Sequence, residues 1–351
     1  MISPSIDSAK FMSTFDPEWG EALAKVRHDY FHLPGYLQAS ASHEGGESVA
    51  FLLEAQDYGM LVPLLKRPLV CFGEAYAGFY DVTSPYGYPA PLYWGKNWQA
   101  CLPEMHETFA AFLREQKVVS LFLRLNPFLG ATDEQQASLG TLKLHGPTVY
   151  IDLRDAAGSW NGINSANRRS IAHMLNRGFE VKIDQWNTLD TVIEAYYETM
   201  RRLGASPFYF FPKEYFYNLV KDTVPHLHLA TSHTPTGEIS GGVLFTESHG
   251  LMHYYLTGVF DDYMDVSPGK LMINALRLWG IEQGHHTLHL GGGLGACRDG
   301  LFQFKARLSK SFATFSTIRK VILPEIYQAL AAERSSDGSD DEFFPIYRRP
   351  T

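Results

Sequence analysis

Cysteine is scarce: the 351-residue chain holds only Cys71, Cys101 and Cys297, widely spaced and without a C-x-x-C pair. An odd, sparse set argues against a disulfide framework and fits a reducing compartment. Long apolar runs are missing too. None approaches the ~18 residues that a bilayer span requires. The opening MISPSIDSAKFMSTFDPEWG lacks the basic region and apolar core of a secretory signal. Basic residues are outnumbered, 30 Lys plus Arg against 38 Asp plus Glu, and the net charge of −8 argues against a surface devoted to nucleic acid. A cytoplasmic protein with no transmembrane segment and no DNA partner is expected.

Hydrophobic residues (45%) and aromatics (14%) are plentiful enough for substantial cores. The length suggests two domains of roughly 150 residues each. Asp16-Pro17 reads as a helix start, with Asp16 capping and the helix running to about His28. Pro34 starts a second, short helix. VAFLLEA (49–55) and GMLVPLLK (59–66) flank Gln56-Asp57-Tyr58 as a hairpin, and 96–116 carries a helical apolar stripe before the strand VVSLFLRL (118–125). Near Pro147 the chain begins again. Strands are expected at 148–153, 179–184, 226–232, 239–247, 251–259, 286–290 and 312–322. Helices are expected at 165–178, 188–203, 212–224, 268–283 and 299–308. This alternation predicts an α+β (α/β-like) sheet domain. The charged, serine-rich tail after about Leu330 reads as loose.

Several motifs carry chemistry. In LHLGGGLGACRDGLFQFKARL (288–308), Gly291, Gly293 and Ala296 satisfy G-x-G-x-x-A. A dinucleotide fingerprint belongs in the first turn of its domain, with an acid about 20 residues later; the motif here lies late, and no acid stands there. The alternative is a tight exit from a strand that lets backbone or ligand approach closely. No GK[ST] follows, which excludes a P-loop. In SPGKLMINALRLWGIEQG (267–284), Ser267 can cap a helix whose Gly269 and Lys270 would offer amides and a positive charge to phosphate. An ordinary capped helix packing Leu271, Ala275 and Leu278 on the sheet is the alternative. Ser267 and Lys270 match S-x-x-K, but no K-T-G accompanies them. His249, with Leu251 and His253, would share one strand face, and His285, His286 and His289 follow. Two nitrogens make no metal site, so satisfied core histidines are expected and no metal. No G-x-S-x-G occurs. In DGLFQFKARL (299–308), Leu301, Phe304 and Leu308 would share a helical face with Lys305 at its margin. That lysine can steady an oxyanion or can simply be solvated. DVTSPYG (81–87) and DVSPG (265–269) echo one another.

In this order, N-R-R near the start of the second domain, YYETMRRLGASPFYFFPKEYF (196–216), SPGKLM, LHLGGG and LFQFK, the motifs resemble the Fem-type (FemABX-like) branch of the GNAT-related acyl-CoA N-acyltransferase superfamily. YDVTSPYGYPAPL (80–92) resembles the first-domain segment of such proteins. The resemblance runs from about Tyr30 to Val321. It implies two tandem GNAT-like domains, each a mixed sheet flanked by helices: 1–146, with 318–351 packing back on it, and 147–317. It implies transfer of an acyl or aminoacyl group from acyl-CoA or aminoacyl-tRNA, a donor co-substrate and no covalently bound cofactor. The acceptor would be the amine of a small molecule, peptide or sugar, as in a cell-envelope precursor.

Carried over residue by residue, Lys305 and Phe304 serve the reacting ester end. Ser267, Gly269, Lys270 and Leu271 occupy the pyrophosphate-holding segment. Beyond that carry-over, Arg298 or Asp299 is expected to orient a substrate, Arg168 and Arg169 to meet phosphates such as those at the acceptor end of tRNA or else to be simply solvated, and Gly292 and Gly293 to shape the cleft wall. Tyr86, Tyr88 and Tyr255 line an acceptor channel. The paired helical arm of Fem enzymes that add bridge amino acids is not evident, since 203–226 has room for one helix. A catalytically idle scaffold protein of envelope assembly is the rival reading, and a nucleotide-dependent oxidoreductase survives only through G-x-G-x-x-A.

Overall fold

A computed structural model describes residues 6–334 and 343–349. The chain divides into two compact units, one formed by the described residues up to 144 together with those from 315 on, the other by 145–314. In chain order the first unit contains β1 (Ile6–Ser13), α1 (Pro17–Ala24), α2 (Pro34–Glu44), β2 (Glu47–Ala55), β3 (Tyr58–Pro68), β4 (Tyr80–Thr83), β5 (Leu92–Gly95), α3 (Trp98–Glu115), β6 (Val118–Arg124) and α4 (Asp133–Gln136). The second unit begins within β7 (Thr141–Asp152) and continues through α5 (Ala156–Gly162), α6 (Ser165–Asn176), β8 (Glu180–Ile183), α7 (Leu189–Arg202), α8 (Lys213–Thr223), β9 (Leu227–His233), β10 (Ile239–Ser248), β11 (Leu251–Val259), α9 (Pro268–Glu282), β12 (Thr287–Gly291) and α10 (Gly300–Ala306). The chain re-enters the first unit within β13 (Ser311–Val321) and adds α11 (Pro324–Arg334).

Both units are α+β with mixed sheets. In the first, the strand order is β1-β2-β3-β4-β6-β13, with β5 also on β3; β4 and β6 are parallel and the other pairs antiparallel. The stripe of α3 buries Leu102, Met105, Phe109 and Leu113 against Phe51, Val62 and Leu121. In the second, the order is β7-β12-β11-β10-β9-β8, and only β11 and β12 are parallel. Gly242 on β10 faces α7, where a Cβ would meet Val192 at 2.3 Å. The next residue, Val243, joins the core cluster with Leu271, Met272 and Leu276 of α9. Strand alternation therefore puts α7 and α9 on opposite faces of the sheet.

Several sequence expectations shift locally. Asp16 caps nothing with its side chain, which accepts instead from the Ser13 amide at 2.7 Å, and α1 ends at Ala24 rather than near His28. His249 is not on a strand; it sits in the β10–β11 turn at φ 46°. The segment 203–226 holds a single α-helix, α8. Residues 331–334 of the expected loose tail continue α11, while 335–342 lie outside the described residues. No described helix is long and apolar enough to cross a membrane.

Candidate active site

The second unit opens at one place. β11 and β12 pair at only three positions, Leu251–Thr287, Met252–Leu288 and His253–His289, and then part. Each strand is irregular just beyond. β11 carries an extra residue, Tyr255, between the Leu244–Leu256 and Phe245–Tyr254 pairs, and β12 slips against β7 between His289 and Gly291. Bulges bend a strand and end its pairing. The register between the two strands ends there, which marks a candidate crevice at their carboxyl ends, the place where open α/β sheets take ligands.

The chain leaving β11 supplies one wall. Ser267 has a left-handed backbone (φ 57°) and does not cap α9 as the sequence suggested; its hydroxyl donates backwards to Met264 O at 3.3 Å. Pro268 at the first position has no N–H to satisfy. The positive end of α9 is thus left without a side-chain cap, and such an end favours anions. Gly269 is buried, and a Cβ added to it would meet Phe304 Cζ at 3.5 Å and the Tyr254 hydroxyl at 3.7 Å. Lys270 is half-buried. The side chain of Leu271 belongs to the core, whereas Leu278, expected on the sheet, is 52% exposed.

The chain leaving β12 supplies the other wall. Gly291 turns with φ 76°, and the carbonyl of Gly292 accepts from Lys305 Nζ at 2.8 Å. A Cβ on Gly293 would lie 2.2 Å from both Asp299 Oδ1 and Cys297 O, so no other residue fits there without moving the loop. Asp299 caps α10. Its Oδ1 accepts from Phe302 N and its Oδ2 from Leu294 N, each at 2.8 Å. Burial alone would raise its carboxyl, but the amides of Phe302, Leu294 and Leu301 outweigh that and hold it below the ordinary range.

Lys305 is the unusual residue. The expected face of α10 was Leu301, Phe304 and Leu308; instead Phe302 and Lys305 are buried and Leu301 is 39% exposed. A solvated lysine is therefore ruled out: Lys305 is only 9% exposed. Burial pulls its pKa down to about 8, opposed by Asp299. At neutral pH the amine still carries its charge for the most part, in a poorly hydrated position where a charge interacts strongly.

The other expected residues divide. Tyr255, the bulge residue, shares a hydrogen bond with Tyr215, their hydroxyls 2.7 Å apart. Arg298 is exposed and lies over the Phe302 ring at 5.5 Å. Arg168 does not project freely; its Nη1 donates to the carbonyls of Ile163 (2.8 Å), Asn161 (3.1 Å) and Trp160 (3.4 Å), closing the end of α5. Arg169 is exposed. Tyr86 and Tyr88 belong to the first unit, in a loop whose backbone is bonded by Glu44, Tyr36 and Asn126. Among the described residues, no group of three or more His, Cys, Asp or Glu could hold a metal ion. Sequence reasoning missed Tyr254. Its buried hydroxyl is 2.8 Å from Thr257 Oγ1, and burial pushes its pKa to about 12. It also missed that His253 and His289 meet.

Residues 165–305, the stretch that holds these walls, match the family model described as acetyltransferase (GNAT) domain. Among solved structures, FemX aligns with 91% of this chain and 99% of its own at 13% identity and a TM-score of 0.67. The chain has a FemX-like, GNAT-related fold. L-PGS from Bacillus licheniformis aligns with 87% of this chain and 92% of its own (15% identity, TM-score 0.52). The C-terminal domain of a putative lysylphosphatidylglycerol synthetase from Agrobacterium fabrum aligns with 89% of this chain and 95% of its own (11% identity, TM-score 0.53). No protein of curated function matches the sequence. Residues 165–305 contain the parting strands, the uncapped start of α9, the glycine turn and Lys305; a Cβ on Gly269 would reach the Phe304 ring, and Lys305 bonds to Gly292.

Proposed function

We propose that the protein is an N-acyltransferase, moving an acyl or aminoacyl group from acyl-CoA or aminoacyl-tRNA to an amine acceptor. One observation carries the reading: the uncapped start of α9 faces Phe304, the neighbour of Lys305, so that a Cβ added to Gly269 would come within 3.5 Å of the Phe304 ring. A phosphate of the donor fits the amides at the start of α9. The reacting carbonyl then lies toward Phe304 and Lys305. An unprotonated acceptor amine attacks that carbonyl, and the C–N bond forms as the carbonyl oxygen takes negative charge. The intermediate collapses, expelling the CoA thiolate or the tRNA ribose oxygen, and the proton of the former amine passes to that leaving group or to water. Lys305, one N–H committed to Gly292 O, offers its charge to the developing oxyanion. Alignment of the reactants supplies much of the rate.

Asp299 acts here by fixing the glycine loop, and Gly292 and Gly293 by forming the wall. Ser267, Lys270 and Arg298 flank the donor's phosphates, with Arg169 as an outer contact for tRNA. Tyr255 borders the acceptor, and in the first domain (1–146 with 318–351) Tyr86 and Tyr88 are assigned to acceptor recognition. The amine would belong to a small molecule, a peptide or a sugar, including cell-envelope precursors.

The test is thermal stabilisation of the full chain by CoA, by a charged-tRNA pool and by NAD, followed by mass spectrometry of amine acceptors incubated with the effective donor. Stabilisation by CoA or charged tRNA, with a product heavier by the acyl group, is expected. Stabilisation by NAD alone overturns the proposal, and a chain that binds neither donor is the scaffold protein instead.

A further inference from the structure

The parting of β11 and β12 needs something to fix where it begins. His253 and His289 form the last register pair before the strands separate. Their Nδ1 atoms are 3.2 Å apart, and the rings meet edge-on with centroids 5.2 Å apart. Both are buried, 3% and 1% exposed. Beyond this pair the main-chain ladder ends and both strands are bulged, so no backbone bond between them sets the width of the opening.

We propose that the two imidazoles are a positioning clasp for the crevice: one donates its Nδ1–H to the bare Nδ1 of the other, and the clasp holds only while one of the two nitrogens is unprotonated. The argument is chemical. A neutral imidazole has one donor and one acceptor nitrogen, and its protonated form has two donors. A doubly protonated pair would aim two N–H groups at each other in a dry site. The charged and titratable neighbours of His289 are His253 on β11, Lys305 on α10, and Tyr150, its register partner on β7. Burial first, then His253 and Lys305, hold His289 well below the usual histidine range. A neutral His289 is therefore favoured when the clasp is closed. Its contribution is full above the ordinary histidine pKa of about 6.5 and is lost progressively as pH falls from there through the depressed pKa of His289.

What the crevice holds rests on the acyltransferase reading; the clasp itself does not. The experiment has two arms on the full chain. Long-range nitrogen-15 spectra of labelled histidine report the tautomers. Calorimetry with acetyl-CoA at about pH 7.5 and about pH 5.5 compares the wild type with His289→Asn and His289→Leu. Expected are one protonated and one bare Nδ1 sharing a slowly exchanging proton, and acetyl-CoA affinity falling about tenfold more on acidification in the wild type than in His289→Asn. The asparagine variant keeps a hydrogen-bonding group that does not titrate and controls for the ligand's own ionisation. His289→Leu should lose affinity about tenfold at both pH values with the circular dichroism unchanged. Two rings titrating independently near the ordinary histidine pKa, or a His289→Asn variant with the wild-type pH dependence, overturns the clasp. If acetyl-CoA fails to bind any form while the shared proton is seen, the CoA-donor reading fails and the clasp stands.

Discussion

Two stretches that echo one another in sequence, DVTSPYG (81–87) in the first unit and DVSPG (265–269) in the second, fold differently. In the first, every exit is tied. The Ser84 amide and hydroxyl bond to β6, Arg124 Nη1 donates to Ser84 O at 2.8 Å, and Tyr36 donates to Tyr86 O. Glu44 accepts from Tyr86 N, Asn126 donates to Tyr88 O, and His32 Nε2 donates to Ala90 O. In the second, Ser267 turns left-handed, its side chain points backwards, and a helix starts with no side-chain cap. Similar letters thus make a largely buried loop whose backbone is bonded by side chains from other elements, and a helix start whose N-cap side chain makes no cap bond. The difference lies in the partners brought by distant segments, and it underlies the proposal that the second stretch takes an anion.

Mutations can break that comparison. The largest effect is expected for Lys305→Ala, which should lower kcat/KM by about 10²–10³-fold while the circular dichroism of the fold is unchanged; unchanged turnover removes Lys305 from the reaction. Gly293→Ala comes next. Its Cβ would displace the Asp299 cap, costing about 1–3 kcal/mol in denaturant unfolding and most of the activity. In the first unit, Asn126→Ala should cost about 1–3 kcal/mol of stability, because it removes the amide that donates to Asp29 Oδ2 and Tyr88 O, without weakening CoA binding. Loss of CoA affinity there would erase the contrast between the two loops. Acidity sharpens it. A lysine held at about 8 should give turnover a falling limb as pH rises through that value, and Lys305→Arg should remove the limb. The smallest effect belongs to Gly269→Ala. Its Cβ meets Phe304 at an ordinary 3.5 Å, so stability should hold while donor affinity drops by a few-fold.

Much of this fold was readable from periodicity and punctuation. Proline and glycine marked α9 within a residue at each end, and alternation marked β11. What could not be read depended on pairing. Nothing local shows that His253 and His289, 36 positions apart, are opposite one another. Nor does local pattern show that β11 and β12 separate after three pairs. Lys305 was expected on a margin because seven residues of helix give too weak a periodicity to fix which side is buried. Its partner, Gly292 O, comes from outside the helix. Ser267 was read as a cap because serine usually is one; its backbone is instead left-handed, with its amide donating to Tyr263 O and Met264 O, each at 3.2 Å.

Holding a dry ammonium has a further consequence. Burial that lowers the Lys305 pKa from 10.5 to about 8 corresponds to roughly 3 kcal/mol against the folded state. That cost is present in full below about 8 and fades as pH rises toward 10.5. A library of variants screened at neutral pH for heat resistance alone would therefore favour Met or Leu at position 305. The survivors would be tougher proteins, and among the least useful ones for any chemistry that needs the charge.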